Sequence, residues 1–90
     1  MSTEWSLDKT SFDLLCQRFF VPEVDLFATR ENHQVETFVS PVVDSSAVAT
    51  DAFSLDWNRW NYIYLFPPAR MILKALGHLE AFKGLSLIHI

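Results

Sequence analysis

Tyr62-Ile63-Tyr64-Leu65-Phe66-Pro67-Pro68-Ala69-Arg70 is the stretch that decides the fold, because a strand pattern runs directly into a helix start. Its first four residues are β-branched, aromatic or aliphatic, which is typical of a short buried strand. Neither Pro67 nor Pro68 can donate a hydrogen bond to a sheet, so the strand must end before them. Pro68 also suits the first turn of a helix, where a missing N–H is no loss. We therefore predict a unit of strand, Pro-Pro turn and helix, with any chemical function beside it.

Apolar residues at helical spacing predict a helix near each end of the chain. The first begins after Asp8, a good capping residue, and has four residues on its buried face: Phe12, Leu15, Cys16 and Phe19. Cys16 is expected to be a buried thiol and not a nucleophile. The last helix follows Pro68, and its predicted buried face consists of Ile72, Ala75, Leu76 and Leu79, with Phe82 near its end. Gly77 within it is expected to mark close packing.

Two apolar runs are expected to form the centre of a sheet. Residues 24–27 and Tyr62–Leu65 predict adjacent parallel strands, because residues 28–60 are long enough for a crossover. Residues 37–39 predict a further short strand, residues 42–50 show no clear period, and residues 51–57 alternate only loosely and are predicted to be irregular. The predicted fold class is therefore α/β, with two to three strands and flanking helices that cover the sheet. Ligands of such sheets bind at the carboxyl ends of the strands, where the loops after Phe27 and Leu65 are expected.

Composition excludes several classes of protein. The 90 residues allow one small domain, and a content of 50% hydrophobic residues excludes a disordered chain. A formal charge of −4 is unfavourable for direct nucleic-acid binding, and one cysteine allows no internal disulfide. No apolar run is long enough for a membrane helix, and the first residues do not resemble a signal peptide. We expect an intracellular protein of the cytoplasm or nucleus.

Several blocks follow one another in an order that resembles a known family. They are Glu4-Trp5-Ser6-Leu7, Pro22-Glu23-Val24-Asp25-Leu26-Phe27-Ala28-Thr29 with Asn32, Phe38-Val39-Ser40-Pro41, Asp51-Ala52-Phe53-Ser54 with Trp57, and Phe66-Pro67-Pro68. Over residues 4–82 this order resembles the segment that follows the reverse transcriptase and RNase H domains in polyproteins of DIRS-type (tyrosine-recombinase) retrotransposons. The resemblance implies a polyprotein fragment that acts as a structural or accessory module. Its implied partners are the neighbouring polyprotein domains, with nucleic acid contacted only indirectly and no membrane.

The same blocks are distantly similar to the phage-type DNA adenine methylases, which implies a partial Rossmann-like, methyltransferase-like unit. That similarity puts Asp25 and Asn32 at cofactor-side positions and Trp57 at the position of a characteristic tryptophan. It places Phe66-Pro67-Pro68-Ala69 where the family has the catalytic tetrapeptide Asn-Pro-Pro-Tyr. Phe66 has no acceptor for the adenine amine, and Ala69 has no ring to stack a flipped base. We therefore expect neither catalysis nor a cofactor; the alternative is an active DNA adenine N6-methyltransferase that uses S-adenosylmethionine.

Other candidate residues have a structural and a functional interpretation. Asp25 either helps to hold a cofactor or metal, or accepts hydrogen bonds from loop amides. The spacing of four carboxylates matches no metal-nuclease pattern: Asp25, Asp44, Asp51 and Asp56. The three histidines lack metal-ligand spacing and are expected to be solvated: His33, His78 and His89. Four aromatic residues favour core and sheet packing over a base-stacking platform: Trp57, Trp60, Tyr62 and Tyr64.

The predicted organisation has three parts. Residues 1–7 are an extended lead-in, residues 8–84 a degenerate methyltransferase-like segment, and residues 85–90 a non-native tail. Ser-Leu-Ile-His-Ile at the end resembles the translation of a sequencing adaptor, which would make the chain a truncated reading frame. Deleting the tail would then leave stability unchanged. The alternative is a genuine apolar tail that forms an edge strand. Phe66→Asp and Leu76→Ala are expected to be costly, since both residues are predicted to be buried.

Overall fold

Two helices and five short strands form a small mixed α/β domain in the computed structural model, which describes residues 8–89. In chain order they are α1 (Lys9–Arg18), β1 (Val24–Asp25), β2 (Val39–Ser40), β3 (Ala49–Thr50), β4 (Tyr62–Leu65), α2 (Ile72–Leu79) and β5 (Leu85–Ile88). Single-turn 3-10 helices cover Ala52–Ser54, Trp57–Arg59 and Ala69–Met71. The predicted lead-in at 1–7 lies outside the described residues. Neither α1 nor α2, among the residues described, has the length and hydrophobicity needed to cross a membrane.

Helix α1 begins where its capping residue predicts. Asp8 Oδ1 accepts a hydrogen bond from the Ser11 backbone N–H at 2.9 Å, which satisfies one of the free donors of the first turn. Phe12 is buried, but Cys16 is only half-buried and Phe19 is 59% exposed. Burial raises the pKa of the Cys16 thiol and so disfavours the nucleophilic thiolate. The predicted helix is confirmed, whereas its apolar face is buried only in its first half.

All strand pairs in the described part of the chain are parallel. β1 pairs with β4, with Val24 opposite Ile63 and Asp25 opposite Tyr64, so the predicted parallel neighbours are confirmed. β5 pairs with the other edge of β4, and β2 pairs with β3. A bridge between Asp25 and Phe38 joins the two sheets. The strands therefore lie side by side in the order β3-β2-β1-β4-β5.

The sheet separates two packed layers, because successive strand residues point to opposite faces. Val24 and Ile63 belong to a core cluster with Ala75 of α2. Tyr64 points to the other face, where its ring meets the ring of Phe12 of α1 edge-on, with 5.0 Å between ring centroids. The two helices therefore cover opposite faces of the sheet, so the prediction that both helices cover it is confirmed.

The buried face of α2 differs from the predicted one. Ala75 is fully buried, but Leu76 is 40% exposed and points away from the core. Phe66 is only half-buried. The expectation that Leu76→Ala opens a core cavity is therefore wrong, and the cost expected for Phe66→Asp falls because that side chain still reaches solvent. Helix rotation explains the first difference: the short Ala75 side chain lets α2 approach the sheet closely, which turns its neighbour outward.

Residues 85–88 form an edge strand, which was the alternative interpretation of the tail. The backbone N–H of Leu85 donates to the carbonyl oxygen of Asn61 at 2.9 Å, and that of His89 donates to Leu65 at 2.8 Å. These bonds fix the segment along the whole length of β4. Its conformation therefore contradicts the expectation that deletion leaves stability unchanged, while its adaptor origin stays a prediction.

The two glycines of the chain should respond in opposite ways to alanine. A Cβ at Gly77 meets nothing within 4 Å, so the predicted close packing is wrong and Gly77→Ala should stabilise α2 by about 0.5–1 kcal/mol. A Cβ at Gly84 would lie 2.3 Å from the carbonyl oxygen of Asn61, which is the acceptor of the first β5 bond. Gly84→Ala should therefore destabilise by about 2 kcal/mol.

Urea unfolding of the two alanine variants measures this difference directly. The Gly77 variant is the matched control, because it adds the same methyl group at an open position. If both variants shift the midpoint in the same direction, the placement of β5 against Asn61 is incorrect.

Candidate functional site

A cavity of about 850 Å³ lies at the carboxyl ends of β1 and β4. The chain leaving β1 contributes residues 26–29, and the chain leaving β4 contributes residues 66–69. Because β1 and β4 are parallel neighbours, both segments emerge at the same edge of the sheet. The expectation that these two loops meet there is confirmed.

The walls of this cavity are mainly aromatic and aliphatic. Phe27 follows β1, Phe53 belongs to the 3-10 helix after β3, and Phe66 follows β4. The rings of Phe27 and Phe53 pack together with centroids 5.3 Å apart. Leu26 and Ile72 add aliphatic surface. Three separate strand ends thus each supply one phenyl ring to the cavity.

The charged side chains that line the cavity give it a net charge opposite in sign to that of the whole chain. Arg70 and Lys74 are basic, and Asp51 is the one acidic residue among the described residues of the lining. The lining is thus formally +1 (two cations and one anion), whereas the chain is −4. Lys74 Nζ lies 4.5 Å from the centroid of the Phe53 ring, which holds this ammonium group against the aromatic wall.

Asp51 lines the cavity, and this position could not be predicted from the sequence. Its φ of 63° is positive, which is rare for any residue other than glycine, and such strain often accompanies functional sites. Two hydrogen bonds hold this conformation. The backbone N–H donates to the carbonyl oxygen of Ser40 at 2.8 Å, and Oδ1 accepts from the backbone N–H of Phe53 at 3.1 Å. The signal available beforehand was an Asp placed just before an Ala-Phe-Ser turn.

Asn32 and Asp25, which the methylase resemblance puts at cofactor-side positions, lie in different places. Asn32 lines the cavity, and its Oδ1 accepts a hydrogen bond from the backbone N–H of Thr29 at 2.7 Å. Asp25 is 2% exposed and is not among the described residues that line the cavity. The amide N–H of Gln34 donates to its Oδ2 at 2.9 Å, so the interpretation of Asp25 as an acceptor for loop amides is confirmed.

The second oxygen of Asp25 has no partner among the described residues. The same holds for the buried hydroxyl of Tyr64, which is opposite Asp25 in the sheet. Burial raises the pKa of Asp25 to about 6, and hydrogen bonds from the amides of Gln34 and Phe27 oppose that rise only in part. Burial also raises the pKa of Tyr64, and the nearby Asp25 charge adds to this effect. These two groups form a polar site beneath α1, separate from the cavity.

The segment after β4, which the methylase resemblance aligns with a catalytic tetrapeptide, forms part of the cavity wall. Phe66, Pro67, Pro68 and Ala69 all line the cavity. The Phe66 ring stacks on His89, with centroids 4.2 Å apart and planes within 10° of parallel. None of the four side chains carries a hydrogen-bonding group, so this segment can offer a ligand only apolar contact and backbone groups.

The remaining carboxylates stabilise local structure. Asp44 pairs with Arg30 at 3.1 Å, an interaction that lowers the pKa of the Asp44 carboxyl. Asp56 Oδ1 accepts from the backbone N–H of Asn58 at 3.0 Å and caps the following 3-10 helix. Within residues 8–89 no three potential metal ligands come close enough to form a metal site.

The histidines are half-buried against aromatic rings, so the prediction that they are solvated is wrong. His33 stacks on Phe38 with centroids 4.3 Å apart, and its Nδ1 lies 2.7 Å from the carbonyl oxygen of Val35. His78 lies 4.3 Å from Trp57, centroid to centroid. Spacing along the sequence could not reveal these pairs, because each joins elements distant in the chain or across a loop.

The aromatic residues around β4 do not form a shared exposed platform. Trp57 and Tyr64 are buried, and the predicted role in packing is confirmed for both. Tyr62 is partly exposed and packs on Phe20, while Trp60 is covered by the guanidinium of Arg59. Base stacking would require open ring faces on one side of the sheet.

Comparisons with protein-family models, curated proteins and solved structures found no match to this chain. Its function is therefore inferred from the geometry of the cavity and from the resemblances carried by the sequence blocks.

Proposed function

We propose that this chain is a non-catalytic structural or accessory module of a DIRS-type retrotransposon polyprotein, with a degenerate methyltransferase-like half-fold. The finer fold assignment is supported by the strand order β3-β2-β1-β4-β5, which follows the first five strands of the doubly wound Rossmann arrangement. The cavity lies between the ends of β1 and β4, where that order reverses direction. Ligands of such folds bind at this switch point.

The observation that carries the proposal is the chemistry of the segment at the end of β4. Methyl transfer to adenine requires an acceptor for the protons of the amine and a ring that stacks on the flipped base. Phe66 presents a phenyl ring where the acceptor belongs, and this ring already stacks on His89. Ala69 has only a methyl group at the position of the stacking ring. A base would lose stacking and hydrogen-bond terms of about 1–3 kcal/mol each.

The alternative is an active adenine methyltransferase that uses S-adenosylmethionine, and the position of the cavity favours it. Asn32 lines that cavity, at one of the two positions to which the methylase similarity assigns the cofactor. Two features oppose this alternative. Residues 26–29, which follow β1, include no glycine, the residue that lets a backbone approach a bound cofactor closely. Arg70 and Lys74 also repel the positively charged sulfonium of the methyl donor.

Calorimetric titration with S-adenosylmethionine tests this proposal. We expect no saturable heat at ligand concentrations up to about 1 mM, which corresponds to less than about 4 kcal/mol of binding free energy. The Arg70→Gln variant is an informative comparison, because it removes one repelling charge and keeps a polar side chain at the same position. Saturable binding by the unmodified chain would favour the enzyme instead.

A further inference from the structure

We propose that the cavity binds a small anionic ligand with a flat ring, of the chemical class of nucleoside monophosphates. The inference deepens the proposed function and rests on it in one respect. It requires that the cavity is a binding site which S-adenosylmethionine does not occupy.

The ring of such a ligand fits the walls of the cavity. Phe27, Phe53 and Phe66 come from three strand ends and face one space. The volume of about 850 Å³ lies within the range of roughly 300–1,000 Å³ that small-molecule sites occupy. Phenyl rings and a planar base stack without hydrogen-bond readout, so the walls require a flat ring but do not select one base.

The anionic part of the ligand follows from the charges at the rim. Arg70 and Lys74 both line the cavity and are exposed, and among the described residues neither takes part in a salt bridge. The two positive charges on one cavity lining match the charge of a phosphate monoester at neutral pH. Lys74 is also held over the Phe53 ring, which places positive charge next to the aromatic wall. A ring and a phosphate are therefore recognised side by side.

Asp51, one of the polar residues of the lining, suits the sugar that links these two groups. Asp51 lines the cavity with its backbone held by Ser40, and only its Oδ1 is used to cap Phe53. The carboxylate has further acceptor capacity for ribose hydroxyl groups. A carboxylate at this point disfavours a phosphate placed there and so directs the phosphate toward Arg70 and Lys74.

Titration with three probes separates the contributions of the ring and the charge. AMP carries the ring and the phosphate, adenosine lacks the phosphate, and inorganic phosphate lacks the ring. We expect saturable binding of AMP, followed by calorimetry or amide shifts, and affinities at least about tenfold weaker for the other two. Arg70→Gln should weaken AMP about tenfold and leave adenosine unchanged. Arg59→Gln is the matched control, because Arg59 covers Trp60 and does not line the cavity.

The possible outcomes distinguish this inference from the proposed function. Absence of AMP binding overturns the inference and leaves the non-catalytic proposal intact. Equal affinity for AMP and adenosine, or equal weakening by Arg70→Gln and Arg59→Gln, also overturns it. Binding of S-adenosylmethionine in place of AMP contradicts both. Binding of AMP together with a selective loss in Arg70→Gln supports the assignment.

Discussion

Replacing Trp57 with alanine is expected to lower the free energy of unfolding by about 3–5 kcal/mol. Trp57 is 2% exposed and packs against His78 and Phe27, at centroid distances of 4.3 and 6.1 Å. Its indole N–H also donates to the carbonyl oxygen of Ala52 at 2.8 Å, and that oxygen would keep only its bond from the backbone N–H of Leu55. Domains of this size have total stabilities of roughly 5–14 kcal/mol, so the loss amounts to about a quarter of the total at the upper end of that range and to most of it at the lower end.

Trp60→Ala is the matched control for this substitution. Trp60 is only half-buried, and its ring contacts the guanidinium of Arg59 at 4.7 Å. Its removal should cost less, about 1–2 kcal/mol, because the ring packs against the core from a half-exposed position and its contact with Arg59 lies at the surface. Thermal or urea unfolding followed by circular dichroism compares the two variants. If both lose the same stability, Trp57 is not at the centre of the core.

Asp25→Asn is expected to stabilise the protein by about 2 kcal/mol near pH 8 and to have little effect near pH 4. The pKa of Asp25 is raised to about 6 in the folded state, from an ordinary value of 3.8. Between these pH values the folded state keeps a proton that the unfolded state releases. Stability is therefore lost as pH rises through this range, and the loss amounts to about 3 kcal/mol. Asparagine avoids that loss but introduces a buried amide N–H without a partner, which offsets part of the gain.

Urea unfolding of the wild-type chain and the variant, from about pH 4 to about pH 8, measures this effect. The difference in unfolding free energy between the two proteins should increase as pH rises from the ordinary pKa of an aspartate to the raised pKa of Asp25 in the folded state. Tyr64→Phe is the control, because it removes the neighbouring unpartnered hydroxyl without removing a carboxylate. If the wild-type chain instead gains stability relative to Asp25→Asn as pH rises across this interval, Asp25 is not a buried carboxylate that lacks a compensating positive charge.

Much of the central architecture could be predicted from the sequence because its signals are local. The run Tyr62–Leu65, followed by two prolines, marks both the end of a strand and the start of a helix. Asp8 caps α1 through a bond that spans three residues. The parallel pairing of β1 with β4 followed from the length of the crossover between two apolar runs. Each of these features depends on residues close in the chain or on chain length.

The features that sequence analysis missed depend on tertiary contacts. The strand predicted at residues 37–39 overlaps β2 at Val39, whereas β3 was missed because its two residues are too few to show an alternation. Leu76 and Ala75 are both apolar, and only the rotation of α2 against the sheet decides which one is buried. The backbone N–H of Asp51 donates to the carbonyl oxygen of Ser40, eleven residues earlier in the chain, and this long-range bond has no signal in the local sequence.

Transfer of a radiolabelled methyl group from S-adenosylmethionine to adenine in DNA is the most direct test of the central claim, which is that the site has lost its chemistry. Incubation of the unmodified chain, or of the same segment in a complete polyprotein, should give no incorporation above a protein-free blank. The double variant Phe66→Asn with Ala69→Tyr should also remain inactive, because residues 26–29 still lack a glycine for close approach of the cofactor. Label in adenine from the unmodified chain would contradict the account and establish the enzyme.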